Sequence, residues 1–108
     1  MDVFMSLPFS EDFKKVSEVI KEVARRRELQ AYRVDGGNLG VPLAEVITAK
    51  IRESRVVVAD VTGNNPNVLN EVGQAQILGK PLVLISREVP EDAPFNIRGH
   101  RICRCFGI

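Results

Sequence analysis

Glu71 is the residue on which chemistry can be built. It lies in the stretch Val56-Val57-Val58-Ala59-Asp60-Val61-Thr62-Gly63-Asn64-Asn65-Pro66-Asn67-Val68-Leu69-Asn70-Glu71-Val72-Gly73. The opening run is β-branched, as a strand buried on both faces should be. A polar turn follows, and Asn65-Pro66 then supplies a cap and a first helical residue. Counted from Pro66, Glu71 falls in the second helical turn, on a face with Asn67, Ala75 and Leu78. Val68, Val72 and Ala75 form the stripe that packs on a sheet, so Glu71 borders it. A carboxylate there is partly desolvated, which raises its pKa, while the helix N-terminus and the Asn67 amide pull the other way. Ionised but poorly hydrated, it is a usable nucleophile. The competing role is a Glu at the helix–sheet rim, paired with Lys or Arg.

Asp60 ends the strand. It could bind a sugar hydroxyl or orient another group. It could equally close a turn by accepting from the amides of Thr62 or Gly63. Asn64, Asn65, Asn67 and Asn70 form a dense amide cluster, more than one turn needs, which suits a polar ligand. Glu45 and Asp35 are the nearest candidates for a second acid. Arg98 could meet a phosphate. His100, Cys103 and Cys105 crowd one short segment without common zinc spacing, so no metal is expected.

These residues need a scaffold. Val3 to Leu7 reads as a first strand, ended by Pro8. Ser10 caps a helix in which Phe13, Val16, Val19, Ile20 and Val23 recur at helical spacing, and Arg25-Arg26-Arg27 closes it. Leu29 to Val34 reads as a second strand and Asp35 to Gly40 as a flexible turn. Pro42 opens a second helix through Leu43, Val46, Ile47 and Ile51. Arg55 to Asp60 is the third strand. The third helix starts at Asn65-Pro66 and stops at Gly79. Pro81 to Ser86 is the fourth strand, Glu88 to Pro94 a polar connection, and Arg98 to Phe106 holds the last. This alternation predicts an α/β fold: a flavodoxin-like (Rossmann-like) three-layer sandwich with a five-stranded parallel sheet in the order 2-1-3-4-5. Its switch point lies between strands one and three. The ligand site is expected at their carboxyl ends, at Ser6, Leu7, Pro8 and Phe9 and at Asp60 to Asn64.

Composition narrows the function. The 108 residues make one domain, 1–108, with 44% hydrophobic and 27% charged residues. A net charge of +1 gives no electrostatic case for a nucleic-acid polymer or a membrane surface. The apolar runs are too short to span a bilayer. With no basic n-region or apolar h-segment after Met1, no signal peptide is expected. Two cysteines on one face of one strand make a poor disulfide, so a reducing cytoplasmic setting is expected.

Several motifs together resemble the nucleoside 2-deoxyribosyltransferase-like superfamily, and most nearly its small TIR-like nucleotide-binding branch. They are Val57-Val58-Ala59-Asp60-Val61-Thr62-Gly63, Asn65-Pro66-Asn67-Val68, Glu71-Val72-Gly73 and Leu78-Gly79-Lys80-Pro81. Val3 to Phe9 and Pro94-Phe95-Asn96-Ile97-Arg98 fit as well. The resemblance implies cleavage or transfer at an N-glycosidic bond of a 2'-deoxyribonucleoside or its 5'-monophosphate, without a cofactor. Glu71 would attack the anomeric carbon and form a glycosyl-enzyme. Asp60 would help to place the sugar, and Ser6 to Phe9 would lie beside sugar or base. The transferases carry a further acid on the second helix, where this chain has Val46 or Ile47, with Glu45 one step away. The nucleotide hydrolases bind phosphate with a Ser/Arg/Gly-rich first loop, where this chain has Leu7-Pro8-Phe9-Ser10. A non-catalytic nucleotide-binding or signalling module, or a TIR-type NAD glycohydrolase, is the alternative. A homodimer or higher homo-oligomer is expected, since family members often complete the site from a neighbouring subunit.

Overall fold

The computed structural model describes residues 2–34, 43–87 and 102–104. Within them lie strands β1 (Val3–Ser6), β2 (Ala31–Tyr32), β3 (Val56–Asp60), β4 (Leu82–Ser86) and β5 (Ile102–Arg104), and helices α1 (Lys14–Arg26), α2 (Leu43–Glu53) and α3 (Pro66–Ile77). The strands form one parallel sheet in the order β2-β1-β3-β4-β5. This is the flavodoxin-like arrangement that the alternating pattern predicts.

The pleat of the sheet sorts the core into two sides. Met5 points one way and packs with Leu7, Phe13 and Val16, so α1 covers that face. Phe4 and Val57 point the other way and pack with Ile51 of α2 and Ala75 of α3. Ala59 and Leu84 meet Val68 and Val72 of α3 on the same side. The helix stripe Val68, Val72, Ala75 is thus buried as its spacing requires.

Each helix end is set by local chemistry. Ser10 accepts from the Asp12 amide and opens a 3-10 turn, Glu11–Phe13, that leads into α1. Asn65 caps α3 by accepting from the amides of Asn67 (2.9 Å) and Val68 (3.2 Å). After α3 the Lys80 amide donates to Ala75 and that of Gly79 to Gln76, with Gly79 at φ +67°.

β2 is shorter than the Leu29–Val34 run predicts. The Leu29 amide folds back onto the Ala24 carbonyl to finish α1, and the Gln30 amide donates to the Asp2 carboxylate. Neither amide is left to pair as strand; the Gln30 carbonyl still accepts from the Val3 amide at 3.0 Å, and the paired residues of β2 are Ala31 and Tyr32. The loop 35–40, Pro42, the connection 88–94, Arg98, His100 and Cys105 lie outside the described residues. Cys103 is exposed.

Between β3 and α3 the chain makes a tight turn, Thr62–Asn64, in which Gly63 (φ +71°) and Asn64 (φ +52°) are both left-handed. A Cβ on Gly63 would meet no atom within 4 Å, so the barrier to substitution is backbone strain alone. Gly63→Ala is expected to cost about 1–2 kcal/mol, and Gly63→Asn clearly less, since Asn tolerates that region. Thermal melts of the two variants check the ordering.

Candidate active site

Ser6 and Glu71 build the site from positions 65 residues apart in the chain. Pleating that sends Phe4 toward α3 sends Ser6 the same way, at the last position of β1. The Ser6 hydroxyl is fully buried and donates to Glu71 Oε1 at 2.7 Å. Glu71 itself is half-buried. Burial pushes its carboxyl above the usual range, and the Ser6 hydrogen bond and the Arg33 charge partly oppose that rise. One hydroxyl and one nearby guanidinium therefore favour the ionised form in a place that disfavours it.

Glu71 opens onto a cleft of about 230 Å³. Phe9, from the loop after β1, forms one wall. Ala44 and Ile47 of α2 form another, and Asn67, Asn70 and Gln74 extend the α3 side. The surface is more apolar than polar, as suits a flat ring with polar groups at its edge. Phe9 is 57% exposed, a high value for a large apolar ring. The Arg33 guanidinium lies 5.0 Å from its ring centroid and donates to the Pro8 carbonyl at 2.8 Å, which fixes the loop. Beyond Phe9 and Arg33 a second hollow of about 210 Å³ is lined by Ser10, Glu11, Lys14 and Ser17.

The expected site residues divide. Ser6, Phe9, Asn67 and Glu71 come together. Leu7 packs in the α1 core, and Pro8 is buried with its carbonyl on Arg33. Asp60 is fully buried, and the alternation along β3 turns it away from the face that carries Ala59 and α3. Its Oδ1 accepts from both the amide and the hydroxyl of Thr62, so the turn-closing role holds. Thr62 in turn accepts from the Arg87 amide at 3.0 Å. Thr62, Gly63 and Asn64 shape the turn that launches α3 and are absent from the described wall of the Glu71 cleft. Glu45 lines a separate, open hollow with Thr48 and Arg52. Among the described residues no three His, Cys, Asp or Glu side chains gather to hold a metal ion. No helix among them is long and apolar enough to cross a membrane.

Two site residues escaped the motif reading. Arg33 follows β2 at the same carboxyl edge that marks the other loops, so its position was a usable signal. Gln74 lies one turn beyond Glu71 on α3, at helical spacing from it.

The Ser6 bond makes a prediction. Ser6→Ala removes a donor to the ionised carboxylate, so the Glu71 pKa should rise further. Any activity that needs ionised Glu71 should then lose its acid limb at higher pH than in the parent, by about one unit for a bond of about 1.5 kcal/mol. A pH–rate profile of both proteins checks this.

No protein-family model matches the sequence, and no curated protein matches it. Solved structures do match. A 2-deoxyribosyltransferase from the psychrotolerant bacterium Bacillus psychrosaccharolyticus superposes with a TM-score of 0.68 at 19% identity, over 90% of this chain and 80% of that one. The CMP N-glycosidase BcmB of Clostridium botulinum gives 0.68 at 20% identity, over 92% and 79%. The TIR domains of the activated Roq1 resistosome give 0.63 at 17% identity over 79% of this chain, which spans 56% of that chain's length. At such identities the likeness is one of fold. The chain therefore has the fold that a 2-deoxyribosyltransferase, a CMP N-glycosidase and TIR domains share.

Proposed function

We propose that this protein cleaves, or transfers at, the N-glycosidic bond of a nucleoside or nucleoside 5'-monophosphate, with Glu71 as nucleophile. The observation that carries this reading is a half-buried carboxylate, bonded to a buried Ser6 hydroxyl, at the edge of a cleft with apolar walls. The two glycosyl-transferring and glycosyl-cleaving neighbours lend it support. On this reading the Ser6 bond engages Oε1 and leaves Oε2 to attack the anomeric carbon. The C–N bond breaks, its electron pair stays on the base nitrogen, and a glycosyl ester forms on Glu71. Water or a second base then attacks the same carbon, and Glu71 leaves as a carboxylate. Poor solvation makes the carboxylate a better nucleophile, and the Ser6 hydrogen bond to Oε1 helps it to leave again.

Asp60 acts on this reading as a positioning residue. It holds the Thr62 turn and with it the start of α3. Arg33 and Lys14 border the second hollow, so a 5'-phosphate leaving the cleft past Phe9 would meet two cations.

The test is a turnover panel. The protein is incubated with 2'-deoxynucleosides, ribonucleosides, their 5'-monophosphates and NAD, and free base is followed by chromatography. Base release from nucleosides or monophosphates, lost in Glu71→Gln, supports the reading. Release of nicotinamide from NAD alone would replace it with the TIR-type activity, and binding without release with a nucleotide-binding module.

A further inference from the structure

We propose that Gln74 meets the nucleobase with an amide that can turn either its N–H or its C=O into the cleft, so that amino and keto bases are both accepted. The proposal rests on the nucleoside reading above and adds to it the group that reads the base. Thr48 of α2 faces Gln74 of α3, with its hydroxyl 2.8 Å from Gln74 Oε1 and 3.0 Å from the Ala44 carbonyl. A hydroxyl has one proton and can serve only one of these acceptors fully at a time.

When Thr48 donates to Gln74 Oε1, the amide nitrogen is the end left for the cleft. When Thr48 donates to Ala44, its lone pairs accept from the Gln74 nitrogen, and the carbonyl is left for the cleft. The two states have the same heavy-atom positions, because oxygen and nitrogen of an amide are interchangeable at 2.8 Å. Each keeps a Thr48–Gln74 hydrogen bond, so the amide turns over without stranding a polar group. Asn65 shows the opposite design. Two backbone amides pin its oxygen, and it can face only one way.

Placement makes the amide a reader of the base. Phe9, Ala44 and Ile47 offer apolar surface to the faces of a flat ring. Glu71 marks the sugar end, and Gln74 lies one helical turn away in the same cleft. A fixed amide would confront one member of each amino/keto pair with two donors or two acceptors, and a site built that way discriminates strongly. A turning amide does not.

The experiment measures binding by calorimetry in the Glu71→Gln chain, where turnover cannot interfere. The probes are the pairs deoxycytidine and deoxyuridine, and deoxyadenosine and deoxyinosine. The Kd values within each pair should agree to about tenfold. Adding Gln74→Glu, which can only accept, should move both ratios toward the amino member by about tenfold or more. Gln74→Met should weaken both members alike. Discrimination beyond about a hundredfold by the native amide would mean that it is fixed, and would overturn the proposal. Ratios unmoved by Gln74→Glu, or a Gln74→Met variant that weakens one member only, would overturn it while leaving the nucleoside reading intact. Failure of all four probes and of their 5'-monophosphates to bind would overturn both.

Discussion

Glu71→Gln should abolish base release and, at neutral pH, raise the melting temperature. The first effect comes from losing the nucleophile, and the second from the burial that lifts the Glu71 carboxyl above its usual range. The amide keeps the shape and can still accept from Ser6, but it cannot attack carbon. A loss of at least about a thousandfold in kcat/KM is expected, which is about 4 kcal/mol of transition-state stabilisation. The sign of the stability effect follows from proton linkage. A carboxyl whose folded pKa is raised binds more protons folded than unfolded, between the ordinary value and the raised one. Its ionisation therefore removes stability as pH rises through that window. Above the window the native protein carries the whole penalty and Glu71→Gln carries none. Below the ordinary carboxylate pKa the advantage of the variant should vanish. Melting curves at pH 3.5 to 8 check this, and a variant that is less stable at neutral pH would assign Glu71 to a structural ion pair. A stability gain at the cost of activity is what a strained functional group should give.

Asp60→Ala should unfold the protein well before it affects any chemical step. Asp60 is fully buried, and its Oδ1 takes two hydrogen bonds from Thr62, whose hydroxyl also receives the Arg87 amide. Truncation leaves the Thr62 amide and hydroxyl without that acceptor and loosens the turn between β3 and α3. A cost of about 3 kcal/mol is expected, or roughly 4–8 °C in Tm for each kcal/mol in a domain of this size. Asp60→Asn keeps an oxygen for the same two donors and should recover most of the loss. Should Asp60→Ala instead melt like the parent and lose only turnover, Asp60 would belong to the chemistry. Urea midpoints and the kcat/KM of the folded fraction separate the two outcomes.

The sheet order was legible because alternation of apolar runs and amphipathic stretches leaves few topologies for a parallel sheet. The α3 start was legible for the same kind of reason: Asn-Pro before an apolar stripe has one economical meaning. β2 was not, since Leu29 and Gln30 are apolar and polar in the right alternation but spend their amides on α1 and Asp2. Glu71 could be placed at the rim of the stripe from spacing, and its half-burial follows. Its partner could not, because Ser6 becomes its neighbour only when β1 lies beneath α3. Arg33 and Gln74 could be placed, at the carboxyl edge after β2 and one turn beyond Glu71, but not given roles. Their roles depend on Phe9 and Thr48, which helical or strand periodicity does not connect to them.

The Ser6–Glu71 bond spans 65 residues, and that separation has a kinetic meaning. No local segment can form it. β1 must first lie against β3, across α1, β2 and α2, and α3 must then close over the pair. Loop-closure entropy is spent on these steps before the carboxylate loses its water. On this account the charged group keeps its water until β1, β3 and α3 are assembled, and a chain without that assembly would hold Glu71 near its ordinary acidity. The reactive carboxylate is in this sense a product of completed folding, and its titration is a probe of when the fold has closed.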